Sequence, residues 1–479
     1  MSTPASPLRT GTAAGRGTLL AAVLASGMVF LDSTVVNVAL PRLGAELDAT
    51  VAGLQWTVNG YLLMLAAFVL LGGALGDRFG RRRVFLLGVV WFAAASMLCG
   101  LAQGTGWLVA ARFLQGAGGA LLTPGSLAVL QASFHPDDRG RAIGTWSGLS
   151  GVATTLGPLL GGWLIDALSW RWIFFVNLPF AVAVVLAALR WVPESRDESV
   201  SRTGEGRRFD MAGALLGALA LGGVTYALID APARGDGSPA VLAAAVLGVV
   251  AVVVFVLVER RRGDTAMLPT GLFGSRLFSV LNVFTVVVYA ALGGFTFFLA
   301  VYLQNVVGWS ALLTGLSTVP MTLLLLVGSP RAGALAARIG PRLPLAVGPV
   351  VAAGGLLLLR RVGPGASYWV DVLPGVALFG IGLTLVVAPL TTSVLGAVSD
   401  RFAGVASGFN NAASRAGGLL AVAALPLLVG LSGTGYEQQG ALADAYRGAL
   451  AWCAGLLLVG AALATVLIHR PRGEGRAPS

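Results

Sequence analysis

Three ionisable residues stand where water is not expected: Asp32 in "VFLDSTVVNVAL", Arg112 in "ARFLQGAGGA" and Arg415 in "GFNNAASRAGGLLAVA". A carboxylate taken into an apolar run is costly unless it is protonated or paired, so such an acid is a functional candidate by default. Burial favours the neutral form of a carboxylic acid, the property a proton carrier requires. Of the 21 acidic residues, Asp32 is the one well inside an apolar run; the rest fall in loops or at run ends. An arginine keeps its charge and can tune a neighbouring acid without titrating itself. Asp32 precedes Leu40 by eight residues and Arg112 follows Trp107 by five. At 1.5 Å per helical residue both then lie about 8–12 Å below one membrane face. They can meet, as a proton site or as a structural pair. Arg415, near the centre of its run, must face a cavity or a partner. Backbone carbonyls with Asn410 or Asn411, and a substrate, are both open to it.

The elements that position these residues follow from composition. The 479 residues are 56% hydrophobic and 11% charged, with mean hydropathy +0.83, roughly half the charge of a typical soluble domain. Runs of the length that crosses hydrocarbon recur from Thr18 to Ile468, which predicts about fourteen membrane-spanning helices. One cleaved leader cannot account for that pattern. Cys99 and Cys453 fall inside apolar runs and read as packing residues, not as a disulfide framework. The net charge of +11 comes from arginine alone, with no lysine in the chain. With a cytoplasmic N-terminus, about 24 of the 32 arginines fall on the cytoplasmic side, a strong positive-inside bias. The basic balance therefore reports topology and lipid contact, not nucleic acid.

The chain also repeats itself. "GALGDRFGRRR" (73–83) follows the second span, and "GALAARIGPRLPL" (333–345) returns with Gly333, Leu335, Arg338, Gly340 and Arg342 in matching places but Ala337 where Asp77 stood. "DDRGRAIGTWSG" (137–148) is echoed by "SDRFAGVASGFN" (399–410). Two further spans and two charged linkers separate the repeated halves. The predicted organisation is an N-terminal six-helix half over 1–190, a linker with two extra helices over 191–276, a C-terminal half over 277–468 and a cytoplasmic tail over 469–479. Duplicated halves in a membrane chain point to a transporter with its site near the midplane between them.

Five motifs in order, "LDSTVVNVALP" (31–41), "GALGDRFGRRR" (73–83), "RFLQGAGGA" (112–120), "GPLLGG" (157–162) and "SWRWIFFVNLP" (169–179), make the whole chain resemble the major facilitator superfamily, and within it the fourteen-helix branch of drug:proton antiporters. The resemblance implies an all-α polytopic fold of two six-helix halves plus two extra helices. It implies proton-coupled export of small hydrophobic drugs or antibiotics across a bacterial cytoplasmic membrane, with both termini cytoplasmic. It also implies proton coupling at Arg112, beside Asp32 as the deep acid that would carry the proton, and a conformational latch at Gly73, Asp77, Arg78, Gly80 and Arg81 that joins helices when the carrier faces outward. Ala337 makes that latch one-sided. Gly157, Pro158, Gly161 and Gly162 match the antiporter motif of the family's exporters, although Ala153 replaces a glycine of the fuller pattern.

Asn37, Asn59, Tyr61, Gln115, Phe295, Phe298 and Arg415 are candidates to line a substrate cavity; Gln304 and Asn305 join them, while Trp56 and Tyr302 sit near span ends, where aromatic residues anchor to the interface. The expected partners are a small hydrophobic molecule, protons and the lipid bilayer, with a monomer as the working unit. No cofactor is expected; the proton gradient supplies the energy. The alternative within the fold is a proton-coupled metabolite or siderophore transporter, and the antiporter motif argues against it. A membrane-embedded enzyme is disfavoured because His135 and His469, the two histidines, lie in loop segments, leaving no metal cluster or Ser/His pair within a span. Asp32, Arg112 and Arg415 together leave an excess of positive charge, so the expected cargo is neutral, zwitterionic or weakly anionic.

Overall fold

The computed structural model describes residues 7–196, 210–234, 237–263, 268, 270–399 and 402–468. Residues 197–209 of the linker and the tail over 469–479 lie outside the described residues. Fourteen helices among the described residues are long and apolar enough to cross a membrane. They are α1 (Ala13–Leu47), α2 (Val51–Phe79), α3 (Arg81–Gly100), α4 (Thr105–Ser133), α5 (Pro136–Ala167), α6 (Trp172–Trp191), α7 (Met211–Arg234), α8 (Pro239–Arg262), α9 (Arg276–Asn305), α10 (Ala311–Ile339), α11 (Arg342–Leu359), α12 (Tyr368–Gly396), α13 (Ala403–Leu428) and α14 (Gln439–Leu467). The near side of the bundle is where α1 begins and α14 ends; the far side is the opposite one.

Short connections carry the signals that stop and start these helices. Thr12, Thr50, Ser275 and Ser310 each accept a hydrogen bond from a backbone N–H of the helix that follows, satisfying donors that have no partner within the first turn. Glycines then set how closely the helices approach, since hydrocarbon offers no driving force between them and packing must supply it. On α4, a Cβ at Gly116 would fall 2.4 Å from the Tyr61 carbonyl oxygen, and one at Gly118 would fall 2.7 Å from the Phe92 nitrogen. The "QGAGG" run thus lets α4 sit against α2 and α3 at once.

Helix α7 packs on α2 and α13, while α8 packs chiefly on α7. The α7–α8 crossing is tight at Gly223, where a Cβ would lie 2.6 Å from the Ala244 carbonyl oxygen. Trp56 of α2 donates its ring N–H to Asp230 of α7 (3.1 Å) and packs near Tyr226. It is half-buried under α7, a correction to its reading as an interface anchor. Tyr302 is corrected likewise: its ring lies flat on Tyr446 at 3.9 Å and its hydroxyl donates to the Val362 carbonyl, a fully buried arrangement. In both cases a neighbouring helix covers a position whose place near a span end predicted contact with the interface.

Candidate functional site

The two halves are joined on the far side. Gln55 Nε2 on α2 donates to the carbonyl oxygens of Val422 and Ala423 on α13, at 2.7 and 2.9 Å. Gln304 on α9 donates to the Val38 carbonyl at 2.8 Å, and the Tyr436 hydroxyl donates to the Ala49 carbonyl at 2.7 Å. The Asp166 carboxylate of α5 accepts from the N–H groups of Ala311 and Leu312 at 3.2 and 2.8 Å. It thereby caps α10 from the other half, where the helix dipole favours a negative charge. Asn305 supports this seal from within its own half by donating to the Tyr436 carbonyl (3.2 Å).

Gly157, Pro158, Gly161 and Gly162 set the place of α5 in this contact. A Cβ at Gly157 would lie 2.2 Å from Thr34 Oγ1, and one at Gly161 would lie 1.8 Å from Val35 Cγ2. One at Gly162 would meet Leu312 Cα at 2.5 Å, and the Pro158 carbonyl approaches Gly315 in the same way. The motif therefore presses α5 against α1 on one face and against α10 of the opposite half on another. Ala153, where the fuller motif has glycine, meets Gly27 of α1; the missing space is provided by the partner helix.

Behind the seal, a cavity of about 80 Å³ lies between the halves, lined among others by Thr34, Asn37, Thr154, Thr296, Thr314, Thr318 and Thr322. Hydroxyls and an amide punctuate its mostly apolar wall. Asn37 is the one cavity candidate from the sequence among this lining. Asn59, Tyr61, Phe295 and Phe298 are buried inside the protein; Phe295 packs on Phe379 at 4.6 Å and Phe298 on Phe297 at 5.5 Å.

Asp32 and Arg112 meet at the core of the N-terminal half. Arg112 Nη1 lies 2.6 Å from Asp32 Oδ2 and 2.6 Å from Gln115 Oε1, while Gln115 Nε2 donates to the other Asp32 oxygen at 2.8 Å. Arg112 Nε donates to the Thr57 carbonyl at 3.0 Å, and its guanidinium lies over the Tyr61 ring at 4.3 Å. Asn177 of α6 donates to Ser96 of α3, which also receives Gln115 Nε2 and itself donates to the Phe174 carbonyl. Five helices, α1, α2, α3, α4 and α6, thus converge on one ion pair, and Asp32, Gln115, Ser96 and Asn177 are 0% exposed. Gln115, expected at the cavity, is instead the clamp of this pair. An ion pair this deep is tolerated when further hydrogen bonds satisfy its remaining lone pairs and protons, which Gln115 and the Thr57 carbonyl do here. The one-turn spacing of Arg112 and Gln115 announced their common face; the roles of Ser96, Thr57 and Asn177 depend on helix contacts that sequence spacing does not encode.

At the near side the charged loop closes on itself. Asp77 accepts from Nε and Nη2 of Arg81 at 2.9 and 2.8 Å, and the Arg78 guanidinium lies 5.5 Å from the Phe79 ring. Gly80 ends α2 at φ 110°, a conformation open essentially to glycine, and Gly73 meets Pro124 in ordinary contact. Glu194, after α6, accepts from the Arg82 N–H at 3.1 Å and ties the loop to the end of the half. Glu194 was not legible as a partner because it stands in a mixed-charge stretch; its place right after a span was the available signal.

Arg415 is half-buried at the centre of α13. Asn410 donates to Asn282 and Thr285 of α9 (3.1 and 2.7 Å), and the Asn411 carbonyl accepts from Ser414. Among the described residues neither amide is spent on the guanidinium, and no carboxylate pairs with it.

Comparison with known proteins agrees with this layout. The profile of the Major Facilitator Superfamily matches residues 22–422. The chain is 37% identical to a tetracenomycin C resistance and export protein of Streptomyces glaucescens, over 89% of this chain and 78% of that protein. It is 37% identical to a puromycin resistance protein of Streptomyces alboniger, over 94% and 90%. Among solved structures, a bacterial homologue of the human lysosomal transporter Spinster, inward-facing and occupied, superposes with a TM-score of 0.67 at 17% identity, covering 96% of this chain and 98% of that one, a likeness of fold alone. The duplicated halves, the glycine-lined seam and the far-side seal are thus those of a carrier, and the chain belongs to the Major Facilitator Superfamily.

Proposed function

We propose that the protein exports small, largely hydrophobic antibiotics or drugs across the bacterial cytoplasmic membrane in exchange for protons, with the near side and both termini in the cytoplasm. The relatives named for antibiotic resistance and export support the direction and the kind of cargo. The observation that carries the coupling is the double use of α1. One face of this helix gives Thr34, Asn37 and Val38 to the cavity between the halves; another holds Asp32 in its clamp with Arg112 and Gln115. A change in cavity occupancy that shifts α1 also strains the bonds on Asp32, and protonation of Asp32 releases α1 from Arg112.

The far-sealed arrangement is the cargo-loading state of such an exporter. Asp32 is closed off in it, and the opposite state must open a path for its proton. The proton gradient is the energy source and no cofactor takes part. One proton entering against a neutral molecule leaving yields about 2.3 kcal/mol per 100 mV, enough for a gradient of roughly fiftyfold from the voltage alone. In everted vesicles, Asp32→Asn is expected to abolish gradient-driven accumulation while folded protein remains in the membrane. A wild-type accumulation ratio in that variant would overturn the assignment.

A further inference from the structure

The charge that the proton site leaves unspent is Arg415. We propose that Arg415 is a recognition residue for cargo bearing an acidic oxygen group, a carboxylate, enolate or phenolate, and that Tyr61 stands between it and the Asp32–Arg112 pair. The proposal rests on the exporter reading and narrows its cargo.

Position supports it first. Arg415 is twelve residues into α13 and thirteen from its end, about 18 Å from either end at 1.5 Å per residue. It falls seven residues after Gly408 and seven before Val422, and a seven-residue step returns to nearly the same helix face. Both flanking positions meet α2 of the other half: a Cβ on Gly408 would lie 2.4 Å from Leu70 Cδ2, and the Val422 carbonyl accepts from Gln55. Arg415 is thus on the stripe of α13 that faces across the seam between the halves.

Chemistry supports it second. Arg415 lies within electrostatic reach of two phenols, the buried Tyr61 of α2 and the half-buried Tyr289 of α9. The Tyr61 hydroxyl has no hydrogen-bond partner among the described residues, and neither polar atom of the Asn59 amide has one. Asn59 follows Gln55 by one turn, on the face of α2 that meets α13. A half-buried guanidinium without an anion and a free amide therefore share the α2–α13 contact, and the free phenol of Tyr61 lies further round α2, against α4 and Arg112. Asp32 is spent on Arg112, so among the described residues no acid remains there to welcome a cation. An anionic group would receive charge-assisted hydrogen bonds in the fork geometry that arginine offers to carboxylates. Tyr61 also carries the Arg112 guanidinium on its ring face, so a ligand held at Arg415 abuts the proton site through one side chain.

The test is transport into everted vesicles of matched pairs: nalidixic acid, fusidic acid and novobiocin, each beside its methyl ester or ether, with ethidium as the cation. Wild-type protein is expected to favour the acid of a pair, and Arg415→Gln to lose acid transport about tenfold while keeping the neutral partner, with Arg415→Lys restoring part of it. Wild-type transport confined to the neutral partners or to ethidium would overturn the inference, as would acid transport unchanged in Arg415→Gln. The wild-type acid-to-ester ratio decides even if a variant fails to insert. Loss of Asp32-dependent transport for every compound in the panel would instead sink the exporter reading, which separates the two failures.

Discussion

The two halves share a fold and divide its chemistry unequally. Both copies of the charged loop end their helix on a glycine at positive φ, Gly80 at 110° and Gly340 at 87°, each with its N–H returned to the carbonyl four residues back. In the first copy Asp77 binds Arg81 and Glu194 binds the Arg82 N–H. In the second, Ala337 replaces the acid and Arg342 reaches the Thr465 carbonyl at the end of α14. The same contrast holds at depth among the described residues: the N-terminal half buries a complete ion pair, while in the C-terminal half no carboxylate pairs with Arg415, and its interior includes aromatic stacking and the Asn410–Asn282–Thr285 amide cluster. Duplication has kept what the backbone needs and let the charges diverge; in the proposed function the first half then holds the proton and the second offers the cargo a charge.

The sharpest test of that division compares two arginines. Arg112→Ala leaves Asp32 buried without its partner, and removing one member of such a pair costs about 3–5 kcal/mol. Arg415→Gln abandons no carboxylate and is expected to leave unfolding almost unchanged. Thermal unfolding of the two variants in detergent measures the difference directly. Equal losses would mean that Arg415 has a structural partner, and the asymmetry between the halves would fall.

The next effect concerns the seam itself. Gly162→Leu would place its first side-chain atom 2.5 Å from Leu312 Cα, in a wall of backbone that cannot yield cheaply. Overpacking of this kind costs about 1–3 kcal/mol, and here the cost falls on the far-sealed state alone. A cysteine introduced at Asn37 is therefore expected to react faster with a membrane-impermeant thiol reagent applied from the far side. Unchanged labelling would show that α5 and α10 are not what holds the halves together there.

These contacts also mark what the sequence could disclose. The spans, the duplication and the meeting of Asp32 with Arg112 were legible because hydropathy, repeat register and depth along a helix are one-dimensional properties. Asp166 and Gln55 were not. Each is a single polar residue near the far end of its helix, and its partner is a backbone group of the opposite half, which carries no side-chain signature. Gln115 shows the intermediate case. Its spacing from Arg112 fixed the face it shares, yet only the approach of α1 and α3 decided that the face was interior and not cavity. Trp56 misled for the same reason: α7, inserted between the halves, covers it and supplies Asp230.

The smallest effect returns to the two loops. Alanine at either Gly80 or Gly340 must adopt a backbone conformation that L residues rarely accept, at about 1–3 kcal/mol. At Gly340 a new Cβ meets nothing within 4 Å, whereas at Gly80 it would lie 2.7 Å from Glu194 Oε1, the oxygen that holds the Arg82 N–H. Gly80→Ala is therefore expected to unfold at lower temperature than Gly340→Ala. Adding Glu194→Ala to each separates the causes, because it removes the obstacle at Gly80 and has none to remove at Gly340. The double variant Gly80→Ala/Glu194→Ala should recover part of the difference, on the order of 1 kcal/mol, while the same addition to Gly340→Ala should cost only what Glu194→Ala costs alone. If the two loops respond identically, Glu194 does not brace the first one, and the near-side asymmetry between the halves reduces to the exchange of Asp77 for Ala337.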